Sequence, residues 1–337
     1  MRYRRDIFDT NHIQEVCMNT EKKRVLIGID GSIQSLNAAS YISEILPPER
    51  TRVVLFYVDA EILDLYFDIE DKPTMTDLEK ASCKEWMDMR TKNMSARLEK
   101  TKDIFLAKGF PKDHVTYIRR ELAIGVTRDI IEESHKGYDL LVVGKTGTRC
   151  VTGIPMGSVT GKLISRVFHL PVVVVEGRPS TEKILVGFDN SKGSIHAANN
   201  VISFVRGTHK IMLCHVIRSM DPLNDGEFDL FSSSMNSGFP EFELQRINKQ
   251  KLKLEKAMTL QKEAMEKAGI PVGHVETCTL EGYMSRAQGL IEKSRKEGYG
   301  SLVLGRRGHS TVLEFFIGRV GRKVVEMSDS LAVWIMN

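Results

Sequence analysis

Three glycines stand at intervals of three and ten residues in the stretch Gly144-Lys145-Thr146-Gly147 to Gly157-Ser158-Val159-Thr160, directly after the apolar run Leu140 to Val143. At the carboxyl end of a strand, such residues let an anion approach the main chain, because no Cβ intervenes and positive φ is open to them. Gly157-Ser158 then opens a helical pattern, and a helix start offers unpaired amides and a partial positive charge. The hydroxyls of Ser158 and Thr160 add donors, and Lys145, Arg149 and Lys162 can balance phosphate charge. Asp30 ends the first apolar run, where a carboxylate can accept from ribose hydroxyls, and Val58 ends the second, where its main chain can meet a base edge. Alone, a glycine or an Asp after a strand reads as a turn or a helix cap. Together they outline a nucleotide crevice: base at Val58, ribose beside Asp30, phosphates over Gly144 to Thr160.

Two common nucleotide fingerprints are missing. "GSVTGKL" has three residues between its glycines and ends in Leu163, so it is not a P-loop, and no G-x-G-x-x-G follows the first strand. No Ser-His-Asp or Cys-His arrangement emerges from the spacing, and the nine histidines show no metal pattern. His215, inside an apolar run, reads as a satisfied core residue. The five cysteines (Cys17, Cys83, Cys150, Cys214, Cys278) lie far apart, which suits a reducing compartment and structural or incidental roles. The N-terminus lacks the apolar core of a secretory signal and no stretch is long enough to cross a bilayer, so a soluble, cytoplasmic protein is expected. A net charge of +4, with acids interleaved among bases, gives no support to a nucleic-acid surface.

The elements that must carry these residues occur twice. "RVLIGIDGSIQSLNAASYI" from Arg24 returns as "KILVGFDNSKGSIHAANNVI" from Lys183, "KGYDLLVVGKTG" returns as "EGYGSLVLGRRG", and "AKGFP" returns as "KAGIP". At 337 residues the chain is twice the usual domain length of about 150. The repeat is therefore one whole domain rather than a solenoid unit. Short Val/Ile/Leu runs alternate with helical patterns, which predicts a doubly wound α/β fold with a mainly parallel sheet covered on both faces. The polar stretch Glu176 to Lys183 separates a first domain over 24–177 from a second over 182–337, after an extension over 1–23. Thr76 to Glu79 has capping-box spacing at the start of a long helix, which Gly109 and Pro111 close. Its Trp86, Met87 and Met94 read as core contacts.

"GIDGS" and the pattern G-x-x-G-x9-G-[ST], met by Gly144, Gly147, Gly157 and Ser158, resemble the universal stress protein family in its tandem form, over nearly all of Arg24 to Asn337. The resemblance implies two Rossmann-like domains, each with a five-stranded parallel sheet, and ATP, with magnesium where required, in the copies whose glycine motif is intact. It assigns Asp30 to ribose, the Val58 main chain to adenine, and Gly144, Thr146, Gly147, Gly157, Ser158, Val159 and Thr160 to the phosphates. Gly161 stands where the family often has a polar residue. The resemblance also suggests that the fifth strands, "PVVVVE" and "LAVWIM", associate as an internal pseudo-dimer; further homodimerisation is open.

The second copy keeps Gly305, Gly308 and Gly318, but Arg319 replaces the hydroxyl residue and Gly321 stands in the place of Thr160. Arg319 either fills the pocket or attracts an anion, and nucleotide binding is expected to be weaker or lost there. The inserts after each second strand, which include Phe228, Phe231 and Phe239, are read either as covers or partner-binding segments of the crevices or as surface loops. The expected function is an ATP-binding sensor or regulator acting on an unidentified protein partner. The alternative is a slow ATP hydrolase or nucleotidyl-transfer enzyme in the same crevice.

Overall fold

A computed structural model describes residues 22–59, 77–147, 155–218, 241–308 and 317–337, apart from some side chains early in the two long helices. Its contacts divide into two units, Lys22–Leu170 and Pro171–Asn337. The extension over 1–21, Cys17, Cys150, Arg149, Thr76, the stretches 60–76 and 219–240 with their three phenylalanines, and the side chains of Cys83, Trp86 and Met87 lie outside the described residues. Among the described residues, no helix is long and apolar enough to cross a membrane.

The first unit runs β1 (Lys23–Gly28), α1 (Ile33–Ile45), β2 (Thr51–Asp59), α2 (Asp77–Ala107), β3 (Val115–Glu121), α3 (Val126–Ser134), β4 (Leu140–Gly144) and α4 (Ser158–Arg166). Its strands lie in the order β3-β2-β1-β4, with β1 parallel to both β2 and β4 and β2 parallel to β3. Val25, Leu26 and Ile27 of β1 and Leu140, Leu141 and Val142 of β4 are fully buried. Consecutive residues of one strand are thus buried on both faces, as a parallel sheet covered by crossover helices requires. The chain winds from β1 outward to β3, then returns to β4 on the other side of β1. This reversal opens a crevice at the carboxyl ends of β1 and β4.

The closing signal of α2 forms as its sequence predicts. Gly109 takes φ +87°, Gly109 N donates to Leu106 O at 3.0 Å and Phe110 N to Phe105 O at 3.1 Å, a Schellman closure. Phe105 and Phe110 seal it edge to face, with ring centroids 5.2 Å apart. The second "GIP" does the same for the corresponding helix: Gly269 takes φ +106° and Ile270 N donates to Met265 O at 3.2 Å. Met94 of α2 is half-buried, with its methyl end beside the Gly31 turn.

The second unit runs β5 (Val172–Val175), β6 (Lys183–Gly187), α5 (Lys192–Phe204), β7 (Lys210–Arg218), α6 (Glu241–Lys267), β8 (Val275–Tyr283), α7 (Arg286–Glu297), β9 (Ser301–Gly305), α8 (Arg319–Met327) and β10 (Ala332–Met336). The strand order is β5-β10-β9-β6-β7-β8. Among the described residues β10 with β9, β9 with β6, β6 with β7 and β7 with β8 pair in parallel, whereas Val175, Val174, Val173 and Val172 of β5 face Ala332, Val333, Trp334 and Ile335 of β10 in an antiparallel ladder. That ladder groups the fifth strand of the first sequence repeat with the second contact unit. Each repeat still supplies five strands, and the fold is the expected α/β type with a mostly parallel sheet.

Trp334 is fully buried, between β5 and β9 in the ladder and 6.2 Å from the ring of Phe204. Replacing Trp334 by Ala is expected to cost about 3–5 kcal/mol, as other large-to-small core changes do. Leu260→Ala, on the solvent face of α6 at 51% exposure, should change stability by less than about 0.5 kcal/mol. Urea denaturation of both variants beside the parent chain measures the contrast.

Candidate functional site

The site of the first unit is built from the sequence outward from Asp30. After β1, Ile29 N donates to Phe56 O at 2.9 Å, so the strand is held one residue longer before it turns. Asp30 Oδ1 then accepts from Ser32 N at 2.9 Å, and Gly31 takes φ +78°, which a residue with a Cβ rarely adopts. The turn delivers Ser32 to the N-cap of α1, where its Oγ accepts from Ser35 N at 3.1 Å. The Asp is therefore a turn residue, as its bland reading has it, with one oxygen. Its other oxygen faces the glycine loop: a Cβ added at Gly147 would stand 2.6 Å from Asp30 Oδ2.

The remaining glycines have equally specific neighbours. A Cβ on Gly144 would meet Gln34 at 3.0 Å from its Cβ and 3.1 Å from its carbonyl carbon, so the end of β4 packs directly on the first turn of α1. Gly157 N donates to Lys145 O at 2.9 Å, which folds the far end of the loop back onto the residue after β4. Gly157 is the N-cap of α4 and supplies no side-chain cap. Ser158 is exposed at the first position of the helix, while Thr146 and Val159 are half-buried. The Thr160 side chain is buried, and its hydroxyl donates to Gly144 O at 2.8 Å. Sequence reading assigns that hydroxyl to phosphate; in the structure it ties the helix to the strand end.

Val58 is 7% exposed. Gly28 opposite Phe56 is the last β1–β2 pair, so Val58 lies two residues further along, level with Asp30. The Phe56 carbonyl points toward β1, and alternate residues of a strand direct their main-chain groups the same way. The Val58 main chain therefore faces the crevice beyond the end of β1. Lys145 is buried, unlike the exposed Lys162. Arg97, reaching from α2, donates from Nη1 to Gly31 O at 3.1 Å and places a cation at the rim. Only the three-dimensional fold reveals it, because 66 residues separate the pair.

The second unit repeats the frame. Asp189 Oδ1 accepts from Ser191 N at 3.0 Å, Asn190 takes φ +60° in the place of Gly31, and Ser191 Oγ accepts from Ser194 N at 3.2 Å as the cap of α5. A Cβ on Gly308 would stand 2.8 Å from Asp189 Oδ2, and Gly318 N donates to Arg306 O at 2.9 Å. The strand end differs: Gly305 packs against the main chain of Gly193, which occupies the place of Gln34, and a side chain on either would collide with backbone.

A cavity of about 620 Å³ opens over this frame. Its wall includes Asp189, Gly305, Gly308, Gly318 and His215, together with Lys253 of α6, Arg286 of α7, Arg307 and Arg319. One carboxylate among four cationic side chains makes an anion-attracting wall. Arg319 is exposed at the start of α8 and lines this cavity. His215 Nδ1 donates to the Phe188 carbonyl at 2.8 Å, a satisfied histidine as expected, at the cavity wall. Arg306, beneath the wall, is buried and donates from Nε to Asn337 Oδ1 at 2.5 Å; burial, with Arg307 nearby, lowers its pKa to about 10. Lys253 and Arg286 come from elements that carry no motif. Among the described residues, no group of three or more His, Cys, Asp or Glu is placed to hold a metal ion.

The sequence model of the universal stress protein family matches residues 22–176 and again 180–330. No curated protein sequence matches the chain. Among solved structures, a universal stress protein from Archaeoglobus fulgidus is similar over 94% of this chain and 97% of its own, at 16% identity and a TM-score of 0.55. One from Pseudomonas aeruginosa is similar over 97% of this chain and 95% of its own, at 13% identity and a TM-score of 0.50. At such identities the likeness concerns the fold.

The hydrogen bond from Thr160 to Gly144 gives a direct test of the strand-end geometry. Thr160→Val keeps the shape and removes the donor, and it is expected to cost about 1 kcal/mol in urea denaturation, the usual net worth of one such bond. An unchanged midpoint would show that the bond is not made in solution.

Proposed function

The chain belongs to the universal stress protein family in both of its repeats, and from that premise we propose that it is an adenine-nucleotide-binding regulator, with ATP taken by the first unit. The observation that carries this reading is the bare approach of Gly147 to Asp30, where a methyl group would stand 2.6 Å from the carboxylate. A carboxylate and a main chain bare of side-chain atoms meet there at a strand-end crevice, next to a helix start whose N-cap has no side chain.

The donor set suits such a ligand. Asp30 Oδ2 faces the glycine loop while Oδ1 holds the turn, and a carboxylate has several acceptor sites, so ribose hydroxyls can add to the bonds it already makes. The Val58 main chain would pair with a base edge, and the amides from Ser158 to Thr160, at the start of α4, would hold phosphate oxygens. Bound there, ATP supplies negative charge that the loop and helix start neutralise. A regulator also requires the ligand to favour one of two states of the protein, and we assign that difference to the surface around the glycine loop, read by a protein partner.

In the second unit the cavity is present, and its charge is positive. We therefore read it as a weaker site, in which the long cation of Arg319 stands in for the Ser158 hydroxyl of the first unit. Flexible, partly exposed cations hold phosphate less selectively than fixed amides, and salt screens them more.

Isothermal titration with magnesium ATP, together with mass spectrometry of small molecules released from freshly purified protein, tests the reading. One tight site is expected. Gly147→Val should weaken it by more than about tenfold, ~1.4 kcal/mol, with folding checked by circular dichroism. Gly308→Val should leave the tight site intact and remove any weaker, salt-sensitive binding. A folded parent chain that takes up no adenine nucleotide in either assay would overturn the proposal.

A further inference from the structure

Cys214 and Cys278 are 64 positions apart in the sequence and gave no sign of a common role. The structure pairs them: they are direct partners across the parallel β7–β8 ladder, with Cys214 buried and Cys278 half-buried, and both thiols are free. A third group completes the cluster. Lys293, on α7, bears electrostatically on Cys278 and is itself held by Glu297 Oε1 at 2.5 Å. Glu297 also acts on both thiols, and Tyr299 is influenced by Cys278, Lys293, Glu297 and Glu276. We propose that Cys278 is a hydroperoxide-reactive thiol and that Cys214 is its resolving partner, so that the second unit carries a reversible dithiol switch in the wall of its cavity.

The chemistry follows from the asymmetry of the pair. The neighbouring Cys214 thiol and the positive charge of Lys293 favour the thiolate and pull the Cys278 thiol below its ordinary range. Cys278 beside it and its own burial push the Cys214 thiol up, so Cys214 stays protonated and waits. The Cys278 thiolate attacks one oxygen of a hydroperoxide: an S–O bond forms, the O–O bond breaks, and the departing alkoxide or hydroxide takes up a proton. Cys214 sulfur then attacks the sulfenic sulfur. The S–S bond forms, the S–O bond breaks, and the thiol proton leaves with the hydroxyl as water. The pair loses two electrons and two protons, and the hydroperoxide is reduced to an alcohol, or water, plus water.

The spacing permits this bond without making it a permanent one. Neighbouring strands lie about 4.8 Å apart, inside the range of about 4.4–6.8 Å that disulfides span between Cα atoms. A bridge drawn straight across a ladder also has to pull its side chains together, and strained bridges are the more easily reduced ones. Cys214 lines the cavity, so the oxidised state changes the cavity wall itself.

The test uses the full reduced chain, an equimolar amount of hydrogen peroxide at pH 7, dimedone to trap sulfenic acid, and peptide mapping by mass spectrometry. The parent chain is expected to link the Cys214 and Cys278 peptides with the loss of two hydrogens, reversibly with dithiothreitol. Cys278→Ser should abolish the link, and Cys214→Ser should replace it with a dimedone adduct on Cys278. Lys293→Gln should slow iodoacetamide alkylation of Cys278 at pH 7 by about tenfold, one unit of pKa. Should Cys214→Ser fail to fold, the mapped link in the parent chain decides alone. Cys278 reacting no faster than a free peptide thiol would overturn the proposal, and so would sulfenic acid that persists at Cys278 in the parent chain without bridging.

Discussion

At the carboxyl end of each central strand, a carboxylate and a glycine main chain approach too closely for a methyl group to pass between them. The gap is 2.6 Å for a Cβ built on Gly147 against Asp30 and 2.8 Å for one on Gly308 against Asp189. The same carboxylates organise the chain locally. Asp30 draws in the Ser32 amide, which fixes the positive φ at Gly31 and sets Ser32 as the cap of α1, and Asp189 does the same through Asn190 and Ser191. Where the strand stops, where the helix starts and how near the glycine loop comes are one constraint, imposed by a single side chain. At Gly147 and Gly308 it is the main chain, with no side chain, that meets the carboxylate.

On this shared frame the two units handle charge differently. In the first, Thr160 holds the strand end through its hydroxyl, and the side chain of Gln34 stands against Gly144. In the second, Gly321 brings no hydroxyl, two glycines let the α5 start and the β9 end meet through backbone alone, and Arg307 and Arg319 line the space above. Removing side chains near the strand end while adding long cations at the rim keeps a cavity open and moves its attraction for anions outward. Arginine suits that position, because its charge persists at any physiological pH and its planar fork meets phosphate oxygens in pairs.

The sequence carried the frame more fully than the wiring. Strand runs, the repeat, the glycine-closed helix ends and the Asp-turn-cap unit are local signals, set by residues within a few positions of one another, and all are readable without the fold. The Thr160 hydroxyl is different, because spacing places it near the phosphates but cannot say that a carbonyl 16 residues earlier takes it first. Arg97, Lys253 and Arg286 enter the sites from helices whose sequences carry no motif. The antiparallel β5–β10 ladder likewise joins residues about 160 positions apart. Cys214 and Cys278 looked unrelated because register across a parallel ladder depends on the intervening crossover, which no periodicity reveals.

These distinctions separate what is fixed in each site from what can adjust. A Cβ on Gly144 or Gly157 would press on neighbouring atoms at 3.0–3.2 Å, so the main chain at the end of β4 and at the start of α4 sits directly against its neighbours. Amides fixed in this way discriminate by geometry and lose little entropy on binding. Lys253, Arg286 and Arg319 are long and flexible, so they discriminate by charge, respond to ionic strength and give up rotamer freedom when engaged. Only a ligand that favours one of two states can hold a protein in that state, and the regulatory role proposed for the first unit rests on its main-chain contacts more than on the presence of a cavity.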